Sequence, residues 1–166
     1  MYSQQQVQTF SKIFIGAETR YGLLTYHNKE TGEKSCTEVK NKKIPIQEHL
    51  EGKNYLGLSP VNEKTLMCEW LGVDIDLYLE PTDICPKIFS LIGTQYFCFM
   101  TLNKKWRVVE FLNEPIHVEE AHKRAKELQE EIKAKLKIEL DDKSTCPTIP
   151  GEPGDCGRWL FLPYGN

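Results

Sequence analysis

From residue 118 to residue 137, apolar side chains recur every three or four positions: Val118, Ala121, Ala125, Leu128, Ile132 and Leu136. Charged residues fill most of the positions between. This period is helical, and no other stretch constrains the chain as strongly, because a helix with one apolar stripe must bury it against another element. The flanking segments supply candidates in a definite order. Residues 67–78 read as a strand, and 82–92 as a helix with Thr82 as N-cap and Gly93 as its stop. Pro86 is expected near the first turn of that helix, where proline is tolerated. Residues 95–101 and 106–112 read as two strands around a polar turn. After the long helix, residues 142–157 form a loop rich in Pro and Gly, and 158–162 a final strand that Pro163 ends. Strand, helix, strand, strand, helix, strand is the ferredoxin- and RRM-like split βαββαβ order. The expected class is α+β, with a mixed, largely antiparallel sheet and helices on one face.

The N-terminal part reads as an extension of that core. Residues 22–27 and 35–40 are predicted strands of a hairpin around the polar loop NKETGEK. Residues 10–20 are expected to form a short helix or turn, and 46–52 one helical turn closed by Gly52. A length of 166 residues fits a single domain, divided as 1–66 with the hairpin and 67–166 as the core.

Charge and cysteine content narrow the function classes. A formal net charge of −3 excludes a wholly basic nucleic-acid-binding surface but leaves room for a local basic groove. No apolar run reaches the length of a membrane span, and the start MYSQQQVQTF lacks signal-peptide character. The expected location is intracellular, in the cytoplasm. The six cysteines, at 36, 68, 85, 98, 146 and 156, form no CxxC pair and are expected to be reduced. Cys68 and Cys98 lie in apolar stretches as small hydrophobes, and Cys146 with Cys156 alone are too few for a zinc site. His27, His49, His117 and His122 show no metal-ligand spacing, and there is no P-loop, GxSxG or HExxH motif.

The sharpest chemical signal is WLGVDIDL at 70–77. Strand side chains alternate between faces, so Leu71, Val73, Ile75 and Leu77 share one face and Asp74 and Asp76 the other, about 7 Å apart. Two ionised carboxylates this close repel each other and gain from a bound cation. Mg²⁺ or Mn²⁺ suits oxygen ligands, and such a pair can hold two metals about 4 Å apart for phosphoryl transfer. The same pattern also fits an amphipathic strand whose acidic face meets solvent. Gly72 beside the pair fits close approach of a ligand or of another backbone, or a bulge.

Taken together, the segments FSKIFIG, IQEHLEG, YLGLSP, CEWLGVDIDLY, EFLNEPI and CGRWLFLPYGN resemble archaeo-eukaryotic primase-polymerases, in the style of those carried by phages, plasmids and helicase-fused mobile elements. The resemblance runs from about Phe10 to Asn166, and the DID strand and the closing LPYGN are its most specific parts. It implies that Asp74 and Asp76 are the metal-binding acids of the first family motif. The third acid would be Asp142, with Asp141 the neighbouring alternative, completing a catalytic Mg²⁺ or Mn²⁺ site. The second family motif carries a His that contacts nucleotide phosphates. Counting back from Glu114-Pro115 puts Arg107 in its place, and Lys104 and Lys105 add positive charge for the triphosphate. Arginine grips phosphate oxygens bidentately and stays charged. Arg158 is expected to meet template or triphosphate, and Trp159 either stacks on a base or belongs to the core.

The resemblance implies a nucleotidyltransferase: a template-dependent DNA primase or polymerase acting on nucleoside triphosphates with a single-stranded DNA template and primer. Asp74, Asp76 and Asp142 would be its catalytic residues. It also implies a longer parent protein with a helicase behind this domain, and no membrane partner. Two alternatives stay open. One is a catalytically inactive relative that binds nucleic acid or nucleotide, which the missing His allows. The other is a metal-dependent nuclease using the same aspartates.

Overall fold

The computed structural model describes residues 2–28, 31, 34–92, 96–101, 104–152 and 155–163. Among them are four α-helices and two four-stranded antiparallel sheets, an α+β architecture. The strands are β1 (Arg20–His27), β2 (Lys34–Lys40), β3 (Leu56–Leu58), β4 (Met67–Ile75), β5 (Tyr96–Met100), β6 (Trp106–His117), β7 (Thr145–Cys146) and β8 (Leu160–Phe161). The helices are α1 (Gln4–Ile13), α2 (Ile46–Leu50), α3 (Pro81–Ile92) and α4 (Val118–Leu136).

The first sheet runs β2-β1-β3-β8 and the second β5-β6-β4-β7. Side-chain parity decides what each face of the second sheet meets. In β4, Leu71, Val73 and Ile75 pack with Trp106 and Val108 of β6 against Ile84 and Ile88 of α3 and Ala125, Leu128, Ile132 and Leu136 of α4. All six apolar positions expected on the long helix are buried. The opposite face, with Trp70 of β4 and Val109 of β6, packs with Leu56, Leu58, Leu160 and Leu162 of the first sheet and its continuation, and with Phe10 and Phe14. The second sheet is therefore a middle layer, between two helices and another sheet.

Several sequence expectations are corrected here. The segment expected as the last strand of the core, 158–162, crosses to the first sheet, where Leu160 and Phe161 pair with Leu58 and Gly57. Its place beside β4 is taken by β7, inside what reads as a loop, with Cys146 opposite Gly72 and Thr145 opposite Val73. The hairpin is thus two strands of a full four-stranded sheet. Gly72 does mark a close approach: a Cβ there would lie 2.7 Å from Leu160 Cδ1 and 3.0 Å from the Val108 carbonyl oxygen. The missing side chain lets Leu160 sit directly on β4. The first helix is Gln4–Ile13 rather than within 10–20: it starts at Gln4, where Ser3 and Gln6 form a reciprocal capping box, and ends at Ile13. Pro86 is the sixth residue of α3, past the first turn. Gly93 lies outside the described residues.

The thiols behave as expected. None of the six cysteines is in a disulfide, and burial pushes the thiols of Cys68 and Cys98 up to about 12. Among the described residues no helix is long and apolar enough to cross a membrane.

Candidate functional site

Asp74 and Arg107 face each other directly across β4 and β6, on the face turned toward the first sheet. The guanidinium grips the carboxylate bidentately: Nε donates to Oδ1 at 3.1 Å and Nη2 to Oδ2 at 3.2 Å. A third bond runs from Nη1 to the Phe161 carbonyl oxygen at 2.7 Å. The Phe161 ring lies 5.7 Å from the guanidinium carbon and stacks on Tyr55 at 4.8 Å with planes 3° apart. Only 5% of the Arg107 side chain is exposed, against 21% of Asp74. The cation is thus the buried member of the pair, and its surroundings compensate it with a carboxylate, a carbonyl and a ring face.

A cavity of about 340 Å³ opens over this pair, lined by Asp74, Arg107, Arg158, Trp159 and Phe161. It joins residues from both sheets. Trp159 is seated by two glycines that face each other across β1 and β3, Gly22 and Gly57. A Cβ on Gly22 would lie 2.3 Å from the indole Nε1, and one on Gly57 2.2 Å from Cδ1. The indole therefore rests on bare backbone, and it is half-buried, with access to the cavity. Arg158 is held by its backbone: its N–H donates to Thr148 Oγ1 at 2.9 Å, and its carbonyl accepts from Cys146 Sγ at 3.2 Å. No carboxylate stands within ion-pair distance of its guanidinium among the described residues.

The other expected site residues lie elsewhere. Asp76, one residue past the end of β4, is 63% exposed and pairs with Lys105 Nζ at 3.2 Å. The repulsion expected between Asp74 and Asp76 is relieved by one basic partner for each. Lys104 is exposed, with φ of 56° at the turn between β5 and β6, and neither lysine lines the cavity. Residues 102–103 of that turn and the closing 164–166 lie outside the described residues.

Asp141 and Asp142 do not sit at a helix C-terminus, as the sequence suggests. The helix α4 ends at Leu136, closed by Lys137 in the left-handed region. Asp141 then caps a separate 3₁₀ turn, Asp142–Ser144, with Oδ1 accepting from the Lys143 N–H at 2.8 Å and from Ser144 Oγ at 3.2 Å. Acids at the start of a turn are favourable, which accounts for this pair without a ligand.

The three aspartates were expected to form a two-metal centre. As placed, they do not fit one. Among the described residues no group of three His, Cys, Asp or Glu side chains is positioned to hold a metal ion. Both Asp74 oxygens are already bonded to Arg107. What the cavity does offer is two guanidiniums against one carboxylate, beside an indole. That set of groups is chemically suited to an anion attached to a flat ring or a chain.

No family model and no curated protein matches the chain. The residues that sequence reasoning missed are Phe161, Gly22 and Gly57. Glycines inside strands are a visible hint of close approach, but nothing local tells which ring approaches.

Proposed function

We propose that this chain is a primase-polymerase-type domain that binds single-stranded nucleic acid and nucleotide phosphates in the cleft between its two sheets. One observation carries the reading. The segments behind the family resemblance are far apart in sequence, yet Asp74 from the DID strand, Arg107 from the following hairpin, and Arg158, Trp159 and Phe161 from RWLFLP line one cavity. Arg107 and Arg158 are suited to phosphate oxygens, and Trp159, braced on backbone, to a base. We read the β5-β6-β4-β7 sheet with α3 and α4 as the split βαββαβ core of such a domain. Its wholly antiparallel pairing and the order of its elements along the chain support this.

A second reading is template-dependent nucleotidyl transfer, a DNA primase or polymerase with Asp74, Asp76 and Asp142 as its acids. The 3₁₀ turn that begins at Asp142 leads directly into β7, the neighbour of β4, and this favours it. It requires Arg107 to give up Asp74.

The test has two parts. Binding of a fluorescent single-stranded DNA oligonucleotide is followed by anisotropy, with Trp159→Ala and Arg158→Ala as controls. Binding should weaken at least tenfold in each variant and fall with salt; unchanged binding in both would remove the cleft from the reading. Primer extension with deoxynucleotides and Mg²⁺ or Mn²⁺ decides between the readings. Longer products that vanish in Asp74→Asn establish synthesis, their absence leaves binding alone, and shortened strands identify a nuclease.

A further inference from the structure

The cleft holds a cation of its own where a metal was expected, and this has a chemical consequence. We infer that Arg107 is a tethered counter-cation that keeps divalent metal off Asp74, so that the cleft takes a phosphate anion without any metal. The choice of anion rests on the nucleic-acid reading above; the exclusion of metal does not.

Three features carry the inference. First, the guanidinium satisfies both carboxylate oxygens from directly across the sheet, in the fork geometry that matches a carboxylate best. A metal must displace it, and a displaced Arg107 would leave its bond to the Phe161 carbonyl and its place against the Phe161 ring. With 5% of its side chain exposed, it has little solvent to move into. Second, a guanidinium has five N–H donors, and the bonds to Asp74 and Phe161 use three of them. One N–H on each terminal nitrogen remains, and Arg107 lines the cavity. Third, Arg158 lines the same cavity with no carboxylate within ion-pair distance among the described residues, while Asp76, the other acid of the strand, is engaged by Lys105. The cavity lining therefore carries two positive charges and one negative. An anion completes that set, and a third cation opposes it.

The experiment uses the whole chain and two probes. Mn²⁺ binding is measured by electron paramagnetic resonance on wild type, Arg107→Met and the double variant Arg107→Met Asp74→Asn. Wild type should show no saturable site up to millimolar Mn²⁺, Arg107→Met should gain one at least tenfold tighter, and the double variant should lose it. Inorganic triphosphate binding is measured by calorimetry in EDTA. Wild type should bind, and Arg158→Ala should bind at least tenfold more weakly. A sub-millimolar Mn²⁺ site in wild type that Asp74→Asn removes overturns the inference. So does a folded Arg107→Met with no gain, or triphosphate binding that needs Mn²⁺. If Arg107→Met fails to fold, the wild-type Mn²⁺ and triphosphate titrations decide on their own. DNA binding that persists while triphosphate binding demands metal would sink this inference and leave the nucleic-acid reading standing. Loss of DNA binding with metal still excluded would do the reverse.

Discussion

Strand β6 carries two arginine–carboxylate pairs on opposite faces, and they are built in opposite senses. Toward the first sheet, Arg107 is the buried member at 5% exposure and Asp74 faces the cavity at 21%. Toward the helices, Glu110 is buried at 1% and its partner, Arg124 of α4, is 46% exposed. The three-residue offset between Arg107 and Glu110 puts them on different faces, because strand side chains alternate. The helix-side pair fastens α4 to the sheet, and its cation reaches solvent. The cleft pair hides its cation under Phe161, beside the cavity that both members line. A guanidinium stays charged at any accessible pH, so a buried one cannot shed its charge when its partner is lost, whereas an exposed one is taken up by water. The two faces should therefore respond differently to losing a partner.

The largest effect is expected from Asp74→Ala, which strands a guanidinium inside the protein. Urea denaturation should show a loss of about 3–5 kcal/mol. A loss below about 1 kcal/mol would mean that the Phe161 carbonyl and ring suffice for Arg107. On the helix side, Arg124→Ala takes the arginine from Glu110 but leaves no guanidinium buried, and in the same denaturation experiment it should cost less, about 1–3 kcal/mol.

Next comes the indole seat. Gly57→Ala puts a methyl group 2.2 Å from Trp159 Cδ1, so the ring must move. The expected loss is about 1–3 kcal/mol, with a red-shifted tryptophan emission as the ring leaves its seat. Unchanged emission would mean that the indole does not lie on the glycine pair.

A smaller, pH-dependent effect comes from His49, which is fully buried and ties the end of the described chain to α2. Its Nε2 lies 2.8 Å from the Pro163 carbonyl oxygen, and its Nδ1 lies 3.1 Å from the Asn54 carbonyl oxygen and 3.3 Å from the Leu56 backbone nitrogen. Burial holds the imidazole below its ordinary value, against the opposing pull of the Pro163 and Asn54 carbonyls. A folded-state value depressed in this way makes the unfolded chain the better proton acceptor. The stability it contributes is present above about pH 6.5 and is lost as pH falls, by at most about 1.4 kcal/mol per unit. Thermal melts of wild type from pH 7.5 to 5 should show this slope, and His49→Gln should flatten it.

The least effect concerns the thiols. Cys36 is exposed while Cys68, Cys146 and Cys156 are buried. A thiol reagent should modify Cys36 quickly in the native protein with no change in stability, and the buried three only on unfolding.

Local pattern was enough for a good part of this molecule. The helical period over 118–137, the alternation around Asp74 and the first hairpin each appear where the residues predict them, because burial of an apolar face is written at short range. The earlier start of α1 was also legible, since Ser3 and Gln6 stand at capping-box spacing. The two-residue strand β7 was not, because so short a segment has no period to read; only its partner β4 makes it a strand.

The sequence by itself determined which residues lie on which face of β4, and hence that Asp74 would point away from the helices. It also supplied the chemistry gathered at the cleft: an acid, two arginines and an aromatic ring. Only the tertiary structure decided how these combine. The crossing of β8 to the first sheet brings Phe161 over Arg107 and seats Trp159 on Gly22 and Gly57. The register of β4 against β6 sets Asp74 opposite Arg107, and so turns an expected metal ligand into half of an ion pair. The physical reason is range. Side-chain parity needs only adjacent residues, whereas the partner of a charge is chosen by strand pairing across 33 positions of chain.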